Sequence, residues 1–382
     1  MIYIILKTMR GPSIIKMMLL LIAIYLSWQT LALGFRSQLL TLLFLSIEIW
    51  ILMNGAFKQK LLLPILFLIW ANTHAGFFIG PIVLGLYGID IFYKWIIKEK
   101  NLTEVISAAA LILISAAATL LNPFTYRIYL EVYNHMQIPM NTIIAEWVAP
   151  NGYQILIICL LSFAYIFKHF TSRNYKRYNI FLILLVLLTS YLAISARRNL
   201  PLFYFSFVIA ISFEITKFKF PKKFSKSILD ISLFSIYAPI LILGVPNIFK
   251  TLDFSKNQNN LCEKGYKDFL CAQLDFFKDK SGNIYNTYEW GGYLIWKLPN
   301  MKVFVDGRMP AWIGEDNESP YTTWLKITQT QLGWKNTLDK YHTDYLLIAN
   351  GTFLDLLLKD DPLKYNYVEK FRDQQGVIYE HK

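Results

Sequence analysis

Apolar residues fall into long runs at 14–34, 38–54, 61–73, 76–97, 102–121, 153–170, 178–196, 200–216 and 228–249, parted by short polar connections. Most of these runs approach the roughly 20 residues that a helix needs to cross a bilayer core. The pattern predicts an α-helical polytopic membrane bundle of about nine spans over residues 1–249. The run at 61–73 is short. It is expected to cross with its outer end, Thr73-His74-Ala75-Gly76, held by protein, because irregular backbone at that depth must be buried or face a wet cavity. The long connection 122–151 holds Pro123, Pro139 and Pro150, and its amphipathic stretch 126–136 predicts a helix lying in the interface.

Beyond residue 249 the pattern changes to short, mostly polar segments. Val303-Phe304-Val305 and Tyr345-Leu346-Leu347-Ile348 read as buried strands, and 367–372 with 377–380 as a pair joined at Gln374-Gln375-Gly376. Helical periodicity at 264–278, 290–297, 321–332, 334–342 and 352–358 alternates with them, so residues 250–382 predict a soluble α/β domain.

The chain is 55 % hydrophobic and 17 % charged, against about 25 % charged in soluble proteins, which places it among membrane proteins. Its net charge of +12 is unevenly spread. Lys7, Arg10 and Lys16, then Lys58 and Lys60, then Lys94, Lys98 and Lys100, then Lys168, Arg173, Lys176 and Arg177, then 217–226 flank alternate connections. The other connections carry only Arg36, Arg127, Arg197 and Arg198. Basic residues are retained on the cytoplasmic side during insertion, so the N-terminus is expected inside and residues 250–382 outside. The basic flanks point to anionic lipid headgroups as partners and not to nucleic acid.

Of three cysteines, Cys159 lies in a run. Cys262 and Cys271, if one helix carried both, would be too far apart for a disulfide. No Cys-x-x-Cys or His-Glu-x-x-His spacing occurs, so no metal site is expected, and a dependence on divalent metal stays open.

The candidate chemistry gathers at the expected outer ends. Arg197-Arg198 occupies a short outer turn, where the insertion rule disfavours arginine. Two readings stand side by side: binding of an anionic phosphate, or snorkelling to outer-leaflet headgroups. Arg36 adds a third cation on that side. Glu146-Trp147 reads either as an interfacial tryptophan anchor with an exposed carboxylate or as a general base at the mouth of the bundle. His74 is either a satisfied packing residue or a ligand contact beside Gly76. Glu48, inside a run, is expected to face the bundle interior and pair with a neighbouring helix. In the outer domain, Gly291-Gly292 allows close approach of a helix, and Asp306-Gly307-Arg308 marks a turn after a strand, where ligand contacts collect.

The set Trp70-Ala71-Asn72-Thr73-His74-Ala75-Gly76, Leu121-Asn122-Pro123-Phe124, Glu146-Trp147, Arg197-Arg198-Asn199-Leu200-Pro201, and Trp290-Gly291-Gly292-Tyr293 followed by Val305-Asp306-Gly307-Arg308 resembles a group of bacterial multi-spanning membrane proteins. That group is similar to GT-C glycosyltransferases, including protein O-mannosyltransferase-like enzymes. The resemblance implies transfer of a sugar from a polyprenyl-phosphate carrier to an acceptor at the outer face of the plasma membrane. No nucleotide sugar or other cofactor takes part. Arg36, Arg197 and Arg198 would hold the carrier phosphate, His74 and Glu146 would line the cavity, and Asp306 and Arg308 would serve the acceptor side. It also implies an acidic residue in an early outer loop. Residues 1–35 contain no Asp or Glu, so further sequence upstream is expected. The alternative is a non-catalytic envelope assembly or binding protein with a periplasmic domain.

Overall fold

The computed structural model describes residues 1–31, 36–137, 141, 144–171, 179–215, 270–308, 318–361 and 364–382. The chain divides into two units, Met1–Ala238 and Pro239–Lys382, each taken by itself below.

The first unit is helical. Among the described residues its helices of seven residues or more are α1 (Ile2–Thr8), α2 (Ser13–Leu26), α3 (Gln38–Asn54), α4 (Leu63–Ala71), α5 (Ile79–Ile96), α6 (Leu102–Ala118), α7 (Arg127–Gln137), α8 (Gly152–Thr171), α9 (Ile180–Ser195) and α10 (Leu200–Ile215). Local chemistry sets their ends. Asn101 caps α6 by accepting from the Glu104 amide at 2.9 Å while the Glu104 carboxylate accepts the Asn101 amide at 3.1 Å, a reciprocal box. At the end of α4, Asn72 donates to the Leu68 and Leu121 carbonyls at 2.8 and 3.0 Å, which ties that end to the end of α6. Buried Asp90 of α5 accepts from Lys94 at 2.6 Å and from the Phe181 amide at 3.3 Å, pinning α5 to the start of α9.

Helix α10 is buried on nearly every side, from Leu200 to Glu214, and packs on α9 and α2. A helix buried all round is the centre of its bundle. The outer helices leave one apolar face open: Ile82, Ile89 and Phe92 on α5, Leu113 and Ile114 on α6, Leu156, Leu160 and Phe163 on α8. Water does not tolerate exposed apolar surface on this scale. Hydrocarbon does.

The expectation of about nine spans is overturned. Among the described residues, three helical stretches are long and apolar enough to cross a membrane: Ala75–Ile96, Ala145–His169 and Arg197–Ile215. The apolar runs exist, but turns cut them. The run at 14–34 breaks at Ser27, leaving the 14 residues of α2, about 21 Å long. The run at 61–73 yields the nine residues of α4, about 14 Å. A hydrocarbon core is about 30 Å thick. The run at 228–249 lies outside the described residues.

The second unit holds α11 (Cys271–Phe277), β1 (Gly282–Asn286), α12 (Gly291–Lys297), β2 (Met301–Val303), α13 (Pro320–Thr328), α14 (Trp334–Lys340), β3 (Tyr345–Ala349), α15 (Phe353–Asp360), β4 (Tyr367–Arg372) and β5 (Gly376–His381). The sheet order is β2-β1-β3-β5-β4. The strands β2, β1 and β3 run parallel, with Ile284 beside both Val303 and Tyr345, and β5 pairs antiparallel with β3 and β4. Two cores flank the sheet, one around Tyr285, Leu346 and Tyr379, the other around Ile284, Leu347 and Ile378, because successive strand residues face opposite sides.

Cys271 is disulfide-bonded and Cys159 is free, which corrects the expectation that Cys271 takes no disulfide. That expectation placed Cys262 and Cys271 on one helix, whereas α11 begins at Cys271. Cys262 lies outside the described residues.

Candidate anion-binding site

Four breaks between helices meet at one end of the first unit. The segment just before α3 brings Arg36, the 3-10 turn Ala145–Trp147 brings Glu146 and Trp147, the 3-10 turn Arg197–Asn199 brings Arg197 and Arg198, and the break after α4 brings His74. Backbone bonds fix the frame. The Arg197 amide donates to Val148 O at 2.9 Å, Thr30 Oγ1 donates to Arg197 O at 3.0 Å, and Gln38 Nε2 donates to Arg198 O. Asn199 Nδ2 donates to Leu192 O at 3.0 Å and closes the turn.

On that frame two guanidiniums converge on one carboxylate. Arg36 Nη1 pairs with Glu146 Oε2, and Arg198 Nη1 lies 3.6 Å from Glu146 Oε1. The Arg198 guanidinium stacks over the Trp147 ring at 4.3 Å, and His135 of α7 lies against that ring at 5.4 Å between centroids. Arg198 and Glu146 side chains are each 18 % exposed, and Arg36 is 48 % exposed. The Arg197 side chain has no bonded partner among the described residues. The three arginines therefore outnumber the carboxylate, and Arg36 keeps about half its surface in contact with solvent or headgroups.

His74 sits beside this group. Its Nδ1 accepts from the Gly76 amide at 3.2 Å and lies 2.6 Å from Thr41 Oγ1, in the first turn of α3. Because a backbone amide can only donate, Nδ1 is the acceptor and the imidazole proton is on Nε2. Burial, and secondly the Arg198 guanidinium, hold His74 below the usual histidine range. A Cβ at Gly76 would lie 2.2 Å from Thr41 Oγ1 and 2.9 Å from His74 Nδ1, so this contact needs glycine. Thr41, His135 and the stacking role of Trp147 were not singled out from sequence. A polar side chain in the first turn of a helix reads there simply as a helix start.

Asp306 and Arg308 belong to the second unit and serve each other. The buried Asp306 carboxylate accepts from the Arg308 amide at 2.9 Å, from Nε at 2.8 Å and from Nη2 at 2.7 Å. Arg308 holds the Asp306 carboxyl below the usual range. The loop is held from behind by Asn286. Its Nδ2 donates to Val305 O at 2.8 Å and its Oδ1 accepts from the Phe304 amide at 3.0 Å. The densest polar network of this unit was not anticipated. Asp355 accepts from Arg372 (2.8 and 3.1 Å), Tyr379 (2.7 Å) and the Gly351 amide (2.8 Å). With its acceptors filled from within, it braces α15 against the hairpin. Among the described residues no group of histidine, cysteine and carboxylate side chains could hold a metal ion.

No protein-family model matches the chain, and no curated protein matches it.

Proposed function

We propose that this chain is an integral membrane protein that binds the phosphate of a lipid carrier at Arg36, Arg197 and Arg198. The observation that carries the reading is the convergence of Arg36 and Arg198 on Glu146 with Arg198 stacked on Trp147. Guanidinium forks suit phosphate because they donate two parallel charge-assisted bonds. Glu146, committed to two guanidiniums, orients them ahead of binding, and preorganisation lowers the cost of binding. The arginine surplus remains for the anion. The interfacial setting is supported by α7, where Ile128, Tyr129 and Val132 pack inward while Leu130, Tyr133 and Met136 stay exposed, the two apolar faces of a helix set between protein and lipid.

The finer reading is sugar transfer from a polyprenyl-phosphate carrier to an acceptor at the outer face, as the resemblance implies. The charge asymmetry supports that sidedness. So does the disulfide at Cys271, since disulfides persist in oxidising compartments such as the periplasm. A non-catalytic envelope-binding role is the second reading. It is favoured by the engagement of both Glu146 oxygens by cations, which occupies the atoms a general base would use.

The test uses purified protein in lipid nanodiscs, with polyprenyl phosphate binding followed by native mass spectrometry. Wild type is expected to bind the phosphate well above the matching polyprenol, and the double variant Arg36→Gln, Arg198→Gln at least tenfold more weakly. Equal retention of phosphate and alcohol, or unchanged binding in a folded double variant, would overturn the reading. A panel of polyprenyl-phosphate sugars then separates transfer from binding alone.

A further inference from the structure

Glu48 lies in the middle of α3 with its side chain shut off from solvent, and neither carboxyl oxygen has a hydrogen-bond partner among the described residues. The partner helix expected from the sequence does not supply one. Thr41 lies seven residues earlier on the same face of α3, about 10 Å nearer the end that carries Arg36. Trp70 of α4 fits between these depths. Its ring is 5.5 Å from Phe44, it is fully buried, and its indole Nε1–H is likewise unpartnered. Its carbonyl accepts the His74 amide at 3.1 Å, which places His74 one turn above it. Thr41, the Trp70 ring against Phe44, and Glu48 thus lie at successive depths along α3.

The elements packed on α3 bring their own titratable groups. These are Tyr3 and Lys7 on α1, Lys58 and Lys60 on the turn Phe57–Lys60, and Tyr87, Asp90, Tyr93 and Lys94 on α5. Lys7 lies over Tyr3, Lys60 bonds to Tyr87, and Lys94 bonds to Asp90. None of them bonds to Glu48. An unpaired carboxylate in an apolar interior is so costly that such a group takes up a proton instead. A carboxyl placed for structure alone would be hydrogen-bonded, as Asp90 and Asp355 are.

We propose that Glu48 is a proton-binding site of the helical unit, which holds a proton at neutral pH. This goes beyond phosphate binding and does not depend on it.

The test is infrared spectroscopy of the full chain in lipid nanodiscs. At pH 7 the difference between wild type and Glu48→Gln is expected to show the carbonyl band of a protonated acid, present only in wild type. On transfer to heavy water that band shifts as O–H becomes O–D. Ser46→Ala, whose hydroxyl bonds back to Leu42 O on the same helix, is expected to leave the band unchanged. An ionised-carboxylate signal from Glu48 at pH 7 would overturn the proton site. If Glu48→Gln does not fold, isotope-labelled glutamate in wild type gives the same reading, since a protonated side chain then titrates out as pH rises.

Discussion

Replacing Arg198 with lysine keeps the charge and removes the shape, which makes it the sharpest probe of the anion site. The guanidinium stacks on Trp147 at 4.3 Å in a side chain only 18 % exposed, a setting in which a cation–π contact contributes about 1 kcal/mol. A lysine ammonium cannot both lie flat on that ring and reach Glu146 Oε1. It also offers a phosphate a point charge in place of a fork, forgoing one charge-assisted bond of about 1.5–3 kcal/mol. These losses are not independent, so about 2 kcal/mol is the expected minimum, roughly thirtyfold in Kd. The same change at Arg36 removes a half-exposed contact of less than about 1 kcal/mol, roughly fivefold or less. Titrating polyprenyl phosphate onto each variant in nanodiscs measures both, with thermal unfolding as a check on the fold. Binding by Arg198→Lys within threefold of wild type, or a larger loss in Arg36→Lys, would refute the assignment of Arg198 as the shaped contact.

Three further outcomes test the frame. Gly76→Ala pushes a methyl to 2.2 Å from Thr41 Oγ1, so the Thr41–His74 contact is lost at a cost of about 1–3 kcal/mol, read as a lower unfolding temperature; an unchanged value contradicts the packing. His74 has its pKa lowered in the folded state by burial and by Arg198, so below about pH 6.5 the unfolded chain binds more protons. Stability at this site then falls as pH drops below 6.5, by at most about 1.4 kcal/mol per unit, and the protection of the peptide around Gly76, after correction for the intrinsic exchange rate at each pH, should be lower at pH 5.5 than at pH 7.5. Asp355→Ala removes the carboxylate acceptor of Tyr379 and one of those of Arg372, which keeps Glu369 and Asn350, and is expected to cost about 1–3 kcal/mol, seen as faster exchange in β4 and β5; an unchanged stability would show that solvent screens this pair.

What could be read from the chain depended on whether the cause was local. The run at 38–54 became α3 with the same limits, because Gly55 leaves the helical conformation directly after it. The run at 14–34 reads as one span, although Ser27, Gln29 and Thr30 interrupt its apolar residues at the point where α2 ends. Strand β1, Gly-Asn-Ile-Tyr-Asn, escaped notice because glycine and asparagine are poor strand formers. It forms because β2 and β3 pair with it on both sides and Asn286 stitches its end to Phe304 and Val305, all of which is tertiary. The glycines show the same division. Gly291-Gly292 signals close approach, yet only Gly291 requires it, with a Cβ falling 2.0 Å from Val305 O, while Gly292 faces open space.

The arginines of the candidate site were visible as misplaced charges, because the insertion rule acts on each connection separately. What offsets that misplacement was not visible. Glu146 is 110 residues from Arg36 in the chain, and no spacing links them. The same reasoning explains Glu48. A carboxylate inside an apolar run announces a cost, and the expected remedy was a partner on another helix. Among the described residues, two cations meet the carboxylate at the end of the unit and none meets the one inside it. A carboxylate that can attract cations is met by them where side chains can still be solvated. Deeper in, bringing a lysine or arginine alongside would mean dehydrating a second charge, which the attraction repays only with excellent geometry. Protonation removes the first charge without adding another, and this asymmetry is why Glu48 is assigned a proton while Glu146 is met by cations.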